Sequence, residues 1–196
     1  MPEPEVVLSG LGIPESPRWH EGRLWFCNWI DRQVVAVDLD GEAEVMLTRD
    51  PASHPMGYSI DWLPDGRLLT TGAKLDRQEP DGSMVTIAEQ HANEIVVDAG
   101  GNAYVNGADF NFVAGAPPEP GYIKLVTPDG HLRQVADDIQ FPNGMVITPD
   151  GRTLIICTAE WRLADGHVAN LERLTTGRRT GEILALPVEV PGTGRP

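Results

Sequence analysis

The sequence predicts an all-β fold of the propeller type, and three observations carry that reading. Tight-turn dipeptides recur at Glu21-Gly22, Asp65-Gly66, Gly100-Gly101 and Asp150-Gly151, at intervals of about 35 to 50 residues. Between them a second set recurs at Asp40-Gly41, Asp81-Gly82 and Asp129-Gly130, each flanked by β-rich runs such as VVAVDLDGEAEVML and IKLVTPDGHLRQVA. Through residue 160 there is no long run with apolar residues at three- and four-residue spacing, so no helix is predicted there.

Asp-Gly between apolar alternations is a strong hairpin signal. We read these sites as type I′ turns, with positive φ at both central residues. Two hairpins per unit make a four-stranded blade. The first unit opens at PESPRW and turns at Gly22 and Gly41; the second turns at Gly66 and Gly82. In the third, ANEIVVDAGGNAYVNG is followed by an insertion, NGADFNFVAGAPPEPGY, whose Pro and Gly content makes it a loop. FPNGMVITPDGRTLI opens the fourth. A β-sandwich with frequent Asp-Gly turns is the alternative, but it does not explain why the whole unit recurs.

After Glu160 the pattern stops. The rest contains no alternating run leading into a hairpin, its basic residues are all Arg, and it ends rich in Gly and Pro. We read residues 1–160 as a partial propeller, three blades and the start of a fourth, and 161–196 as a divergent, poorly ordered tail. A strand from Ile183 to Val190 would be an edge at best, because Pro187 lies within it. Out-of-frame sequence and an unusual but real linker both remain open as origins of the tail.

Composition narrows the partners. A formal charge of −14 argues against nucleic acid and anionic membrane, which reward a basic face. No stretch is long and apolar enough to span a bilayer, and the N-terminus MPEPEVVLSG lacks a secretory pattern, so a cytoplasmic location is expected. Cys27 and Cys157 sit in apolar runs, LWFCNW and LIICTA, and read as buried free thiols. Trp19 and Trp62 read as core aromatics between blades.

An oxygen-bearing side chain heads three units in matching register. Glu15, Asn93 and Asn143 each stand seven or eight residues before a turn glycine. In equivalent strands they converge on one axis, where a hard cation could sit. Each also has a structural explanation, such as a strand-entry polar group or a turn amide. Tyr58 holds the corresponding offset in the second unit, where channel lining and core packing are equally compatible.

At PESPRW, ANEIVVDAGGNAYVNG and FPNGMVITPDGRTLI the chain resembles the family of gluconolactonases, senescence marker protein and luciferin-regenerating enzyme, from about residue 7 to 160. The resemblance implies a six-bladed β-propeller, here truncated to about three and a half blades, with one divalent cation, usually calcium, in its channel. It also implies hydrolysis of lactones, and in some members of organophosphates. By position, Glu15 and Asn143 match metal-binding residues, and Asn93 matches an asparagine beside the metal that binds substrate or completes the coordination. His91 stands where the family often has a substrate-holding Arg, and Glu94 where some members have Asp, so His91, Asn93 and Glu94 are the expected substrate contacts. The family's fourth key residue, an aspartate in a PDG motif of a later blade, has no counterpart; Asp165-Gly166 is not preceded by Pro.

Calcium takes six to eight oxygens, so one carboxylate and two amides make a weak, water-completed site. Neither Glu94 nor Glu160 is assigned as general base, and the catalytic residue stays unknown. The sequence therefore leads to a calcium-dependent hydrolase of the gluconolactonase type, opening a sugar lactone or related cyclic ester. The alternative is an inactive truncated propeller that binds calcium or a partner. Open blade edges lead to an expectation of self-association.

Overall fold

A computed structural model of the chain describes residues 6–11, 13–50, 57–109, 119–148, 153–158 and 182–187; in the last two segments the side chains described are Leu154 and Leu186. The described residues form strands and no helix. The first sheet contains β1 (Pro14–His20), β2 (Arg23–Asn28), β3 (Gln33–Val37) and β4 (Ala43–Thr48). The second contains β5 (Ile60–Trp62), β6 (Leu68–Thr70), β7 (Leu75–Gln78) and β8 (Met84–Ala88). The third contains β9 (Ile95–Val97), β10 (Ala103–Gly107), β11 (Gly121–Val126) and β12 (Leu132–Ile139). In the fourth, β13 (Met145–Ile147) pairs with β14 (Thr153–Thr158), and β14 with β15 (Glu182–Pro187).

All pairings are antiparallel and follow chain order, the up-and-down pattern of propeller blades. The first strands of successive sheets, β1, β5, β9 and β13, contact one another in that order, so the blades fan out from them. Residues 182–187, read from the sequence within the tail, supply the third strand of the fourth sheet, at its edge, and Pro187 is its last residue. The insertion residues 110–118 and the Asp150-Gly151 turn lie outside the described residues.

The hairpins correct the expected turn type. Among the described turns only Glu21-Gly22 has positive φ at both central residues (50° and 78°), as a type I′ turn requires. The other described turns are three-residue loops ending in a left-handed glycine. In the second sheet the Leu63 amide donates to Arg67 O and the Gly66 amide to Leu63 O, both at 2.9 Å. The same pair of bonds closes Asp38–Glu42, Glu79–Ser83, Asp98–Asn102 and Thr127–His131. Proline explains the choice in three of them: Pro64, Pro80 and Pro128 open the loop, and their fixed φ suits the first position of a type I turn but not of type I′. Elsewhere a carboxylate does the work. Asp98 Oδ1 accepts from the amides of Gly100 (2.8 Å) and Asn102 (2.9 Å), and Asp38 holds its turn in the same way.

The core lies between blades. Trp25, Cys27 and Val34 of the first sheet pack on Tyr58, Ile60 and Trp62 of the second. Leu69 and Leu75 of the second meet Ile95, Val97 and Val105 of the third, and Tyr104 and Ile123 of the third meet Ile147 and Leu154 of the fourth. Alternation along β2 sends Phe26 to the other face, where Leu8 and Leu11 cover it together with Val35 and Val37. Cys27 is a buried free thiol, as expected, and burial pushes its pKa up. Arg49 is also buried behind this interface, over the Tyr58 ring and 3.8 Å from Asp76; burial lowers its pKa to about 10, with Asp76 opposing.

Trp62 is a core aromatic, but Trp19 is 50% exposed. It is His20 that stacks on Trp62, with ring centroids 3.9 Å apart. Successive residues of a strand point to opposite faces, so Trp19 is turned away from the second blade. Tyr58 belongs to the core. It is fully buried, and its hydroxyl donates to the carbonyls of Asn28 (3.2 Å) and Gln33 (3.0 Å).

Candidate metal and substrate site

The expected site residues stand at the heads of the first strands of three blades. Glu15 lies near the start of β1 and is exposed, Asn93 lies just before β9 and is half-buried, and Asn143 lies just before β13 and is exposed. A continuous chain of hydrogen bonds ties these heads together. Asn106, fully buried in β10, donates from Nδ2 to Asn143 O (2.7 Å). Its carbonyl accepts from the Asn93 amide (2.7 Å), and its Oδ1 from the Glu94 amide (3.3 Å). The Thr71 hydroxyl, from the second blade, donates to Asn93 O (2.8 Å).

Glu94 continues the chain to the first blade. Its Oε1 accepts from the Ser16 hydroxyl (2.9 Å) and its Oε2 from the Ser59 hydroxyl (3.0 Å). The Arg18 guanidinium stands 3.6 Å from Oε2. With 6% exposure, Glu94 faces the junction of three blades, and both its oxygens are engaged. Burial raises its pKa; Arg18 and the two serine hydroxyls act the other way. His91 is exposed beside this cluster, and its carbonyl is fixed by Gln90 Nε2 (2.7 Å) and the Tyr122 hydroxyl (2.9 Å). Gln90 also accepts from Lys124 Nζ (2.8 Å), whose ammonium lies over the Tyr122 ring.

The donor set suits a hard cation. Among the described residues, no hydrogen bond engages the carboxylate of Glu15 or the side-chain amides of Asn93 and Asn143, although their backbones are pinned. Gly57 also leaves room at the amide oxygen: a Cβ there would come within 3.1 Å of Asn93 Oδ1. These are one carboxylate and two amides on different blades, the oxygen chemistry calcium accepts. Among the described residues no group of three or more His, Cys, Asp or Glu is placed to hold a metal, so the oxygens would come chiefly from amides and water.

Sequence reasoning missed Ser16, Ser59, Thr71 and Asn106. Ser16 and Glu94 each directly follow a predicted site residue, which was the available signal; their pairing across 78 residues had none. A cleft of about 280 Å³ opens at the other end of the sheets, between the hairpins of the second and third blades. Its lining is mainly apolar, including Leu63, Leu69 and Val126, and its Asp65 and Arg67 are bonded to each other, so it offers no free acid–base pair.

Antiparallel blades fanning from a polar axis with hard oxygen donors at the strand heads define a propeller with a candidate cation site. A family model, the SMP-30/Gluconolactonase/LRE-like region, matches residues 13–165, and the chain belongs to this family. Among solved structures it is similar to a gluconolactonase from Xanthomonas campestris (19% identity, TM-score 0.66, covering 95% of this chain and 62% of that one). It is similar also to regucalcin, a calcium-binding protein from Agrobacterium tumefaciens (16%, TM-score 0.64, 96% and 59%). A luciferin-regenerating enzyme matches at 13% identity and TM-score 0.61, over 89% of this chain and 61% of that one. At such identities these likenesses establish the propeller fold, and the chain spans about three fifths of the length of each. No curated protein matches the sequence. No described helix is long and apolar enough to cross a membrane.

Proposed function

We propose that the protein is a calcium-dependent hydrolase of the lactonase type, opening a sugar lactone or a related cyclic ester. The observation that carries this reading is the hydrogen-bonded chain Asn143–Asn106–Asn93/Glu94–Ser16, which holds three strand heads together beside side-chain oxygens that no hydrogen bond engages among the described residues. Membership of the gluconolactonase family supports the reaction class. Glu15, Asn93 and Asn143 would hold the cation, which when bound supplies a Lewis acid for a carbonyl oxygen. His91, at the rim with its backbone fixed, presents an imidazole to a polar substrate, and Asn93 presents an amide. Glu94 is a buried carboxylate next to Asn93, but its bonds to Ser16 and Ser59 occupy it, so no general base is assigned.

Hydrolysis of a six-carbon aldonolactone, followed with and without chelator, tests the reading. Calcium-dependent turnover that Glu15→Ala abolishes is the expected result, and turnover that a chelator leaves intact would overturn it. The single carboxylate among the expected ligands favours a second reading, a propeller that binds calcium or a partner without turnover. Calcium binding with no hydrolysis in the same assay selects that alternative.

A further inference from the structure

We propose that Glu94 acts through Ser16 as a positioning residue for Glu15, so that the oxygen donors on the first and third blades share one mount; this rests on the metal reading above. Ser16 has φ 53°, a left-handed conformation that a side-chain-bearing residue rarely keeps unless its surroundings hold it. It sits in an irregularity of β1: Glu15 pairs with Cys27 and Arg18 with Trp25, leaving one extra residue on the β1 side. Such a bulge re-aims the side chain beside it, and here that side chain is Glu15. Ser16 is buried, and its bond to Glu94 Oε1 is what holds the left-handed turn.

The other side of the bulge is pinned to the same place. Arg18 donates to Ile95 O (3.0 Å), the residue after Glu94. Ser59 takes the second carboxylate oxygen, which stops Glu94 from rotating away from Ser16. The Glu94 backbone exchanges bonds with Asn106, which also receives the Asn93 amide. A displacement of Glu94 therefore moves the mounts of Glu15 and Asn93 together. Its burial and its two engaged oxygens distinguish Glu94 from a group that touches substrate.

Calorimetric calcium titration of the full chain tests this, with circular dichroism of each variant as the check on folding. Ser16→Ala and Glu94→Ala are expected to weaken calcium binding by roughly tenfold or more, the usual effect of removing a partner that orients a metal ligand. Glu94→Gln, which still offers the Ser16 hydroxyl an oxygen, should restore most of the loss. Ser16→Ala removes a single small hydroxyl and decides the matter if Glu94→Ala does not fold. Unchanged affinity in Ser16→Ala overturns the positioning role alone. Equal losses in Glu94→Gln and Glu94→Ala also overturn it, because Glu94 would then be acting by charge. An unsubstituted chain that binds no calcium overturns the metal reading and this proposal with it.

Discussion

The two ends of the sheets solve the same problem in opposite ways. At the hairpin end, buried and exposed polar groups are satisfied within two to four residues: Asp98 by Gly100 and Asn102, Asp38 by Asp40 and Glu42, Asp81 by Ser83. At the strand heads, polar groups reach between blades, as in Ser16 to Glu94, Ser59 to Glu94 and Asn106 to Asn143. A local bond forms as soon as its turn forms. A bond between blades forms only when both blades are in place, so the strand-head end reports on assembly and the hairpin end does not.

The largest expected effect comes from cutting the inter-blade network at Asn106. Asn106→Ala leaves the buried Glu94 amide without a partner and removes the bond to Asn143 O, and should cost about 3 kcal/mol in urea unfolding, at ~1–3 kcal/mol for the stranded amide and about 1 kcal/mol for the lost bond. In the calcium titration its affinity should fall as well. Asp98→Ala removes three bonds, one more than Asn106→Ala but all local, and should cost about 1 kcal/mol, near the cost of losing a capping side chain. Its calcium affinity should match the unsubstituted chain. If the two variants behaved alike in both measurements, the contrast between the ends would fail.

A smaller effect concerns pH. Burial raises the Glu94 pKa above its value of 4.5 in the unfolded chain, so the folded state takes up a proton first as pH falls. The resulting stabilisation is complete below the unfolded value and is lost as pH rises through the folded one. In calcium-free buffer, the stability of the unsubstituted chain relative to Glu94→Gln should therefore increase as pH is lowered from neutral towards 4.5. A difference independent of pH would show that the carboxylate titrates as if exposed. The smallest effect belongs to the hairpin end. Arg67→Ala breaks one exposed ion pair, with Asp65, and one half-buried pair, with Glu79, and should shift the urea midpoint little at physiological salt.

The same contrast governs what was legible in the sequence. The turns were legible because each is encoded in five consecutive residues, and they revealed the blades and their order. Their geometry was not, because Asp-Gly suits both a type I′ turn and the last two positions of a three-residue loop, and only the preceding proline or capping carboxylate separates them. Trp19 was misplaced because hydrophobicity does not tell which face of a strand a residue takes, and the bulge at Ser16 breaks the alternation that would. Glu15, Asn93 and Asn143 could be singled out because each repeats one register. Glu94 could be singled out only as their neighbour; its bonds to two other blades depend on how the sheets are set side by side, which no local pattern encodes.

Cys27 offers a clock. Its thiol is sealed between the first two blades with no exposed surface, and its raised pKa keeps it protonated and unreactive there. An alkylating reagent can reach it only while those blades are parted. The labelling rate on the peptide that carries Cys27 therefore measures how often the first two blades part at that seam, and comparing that rate with and without calcium would time the seam separately from the rest of the molecule.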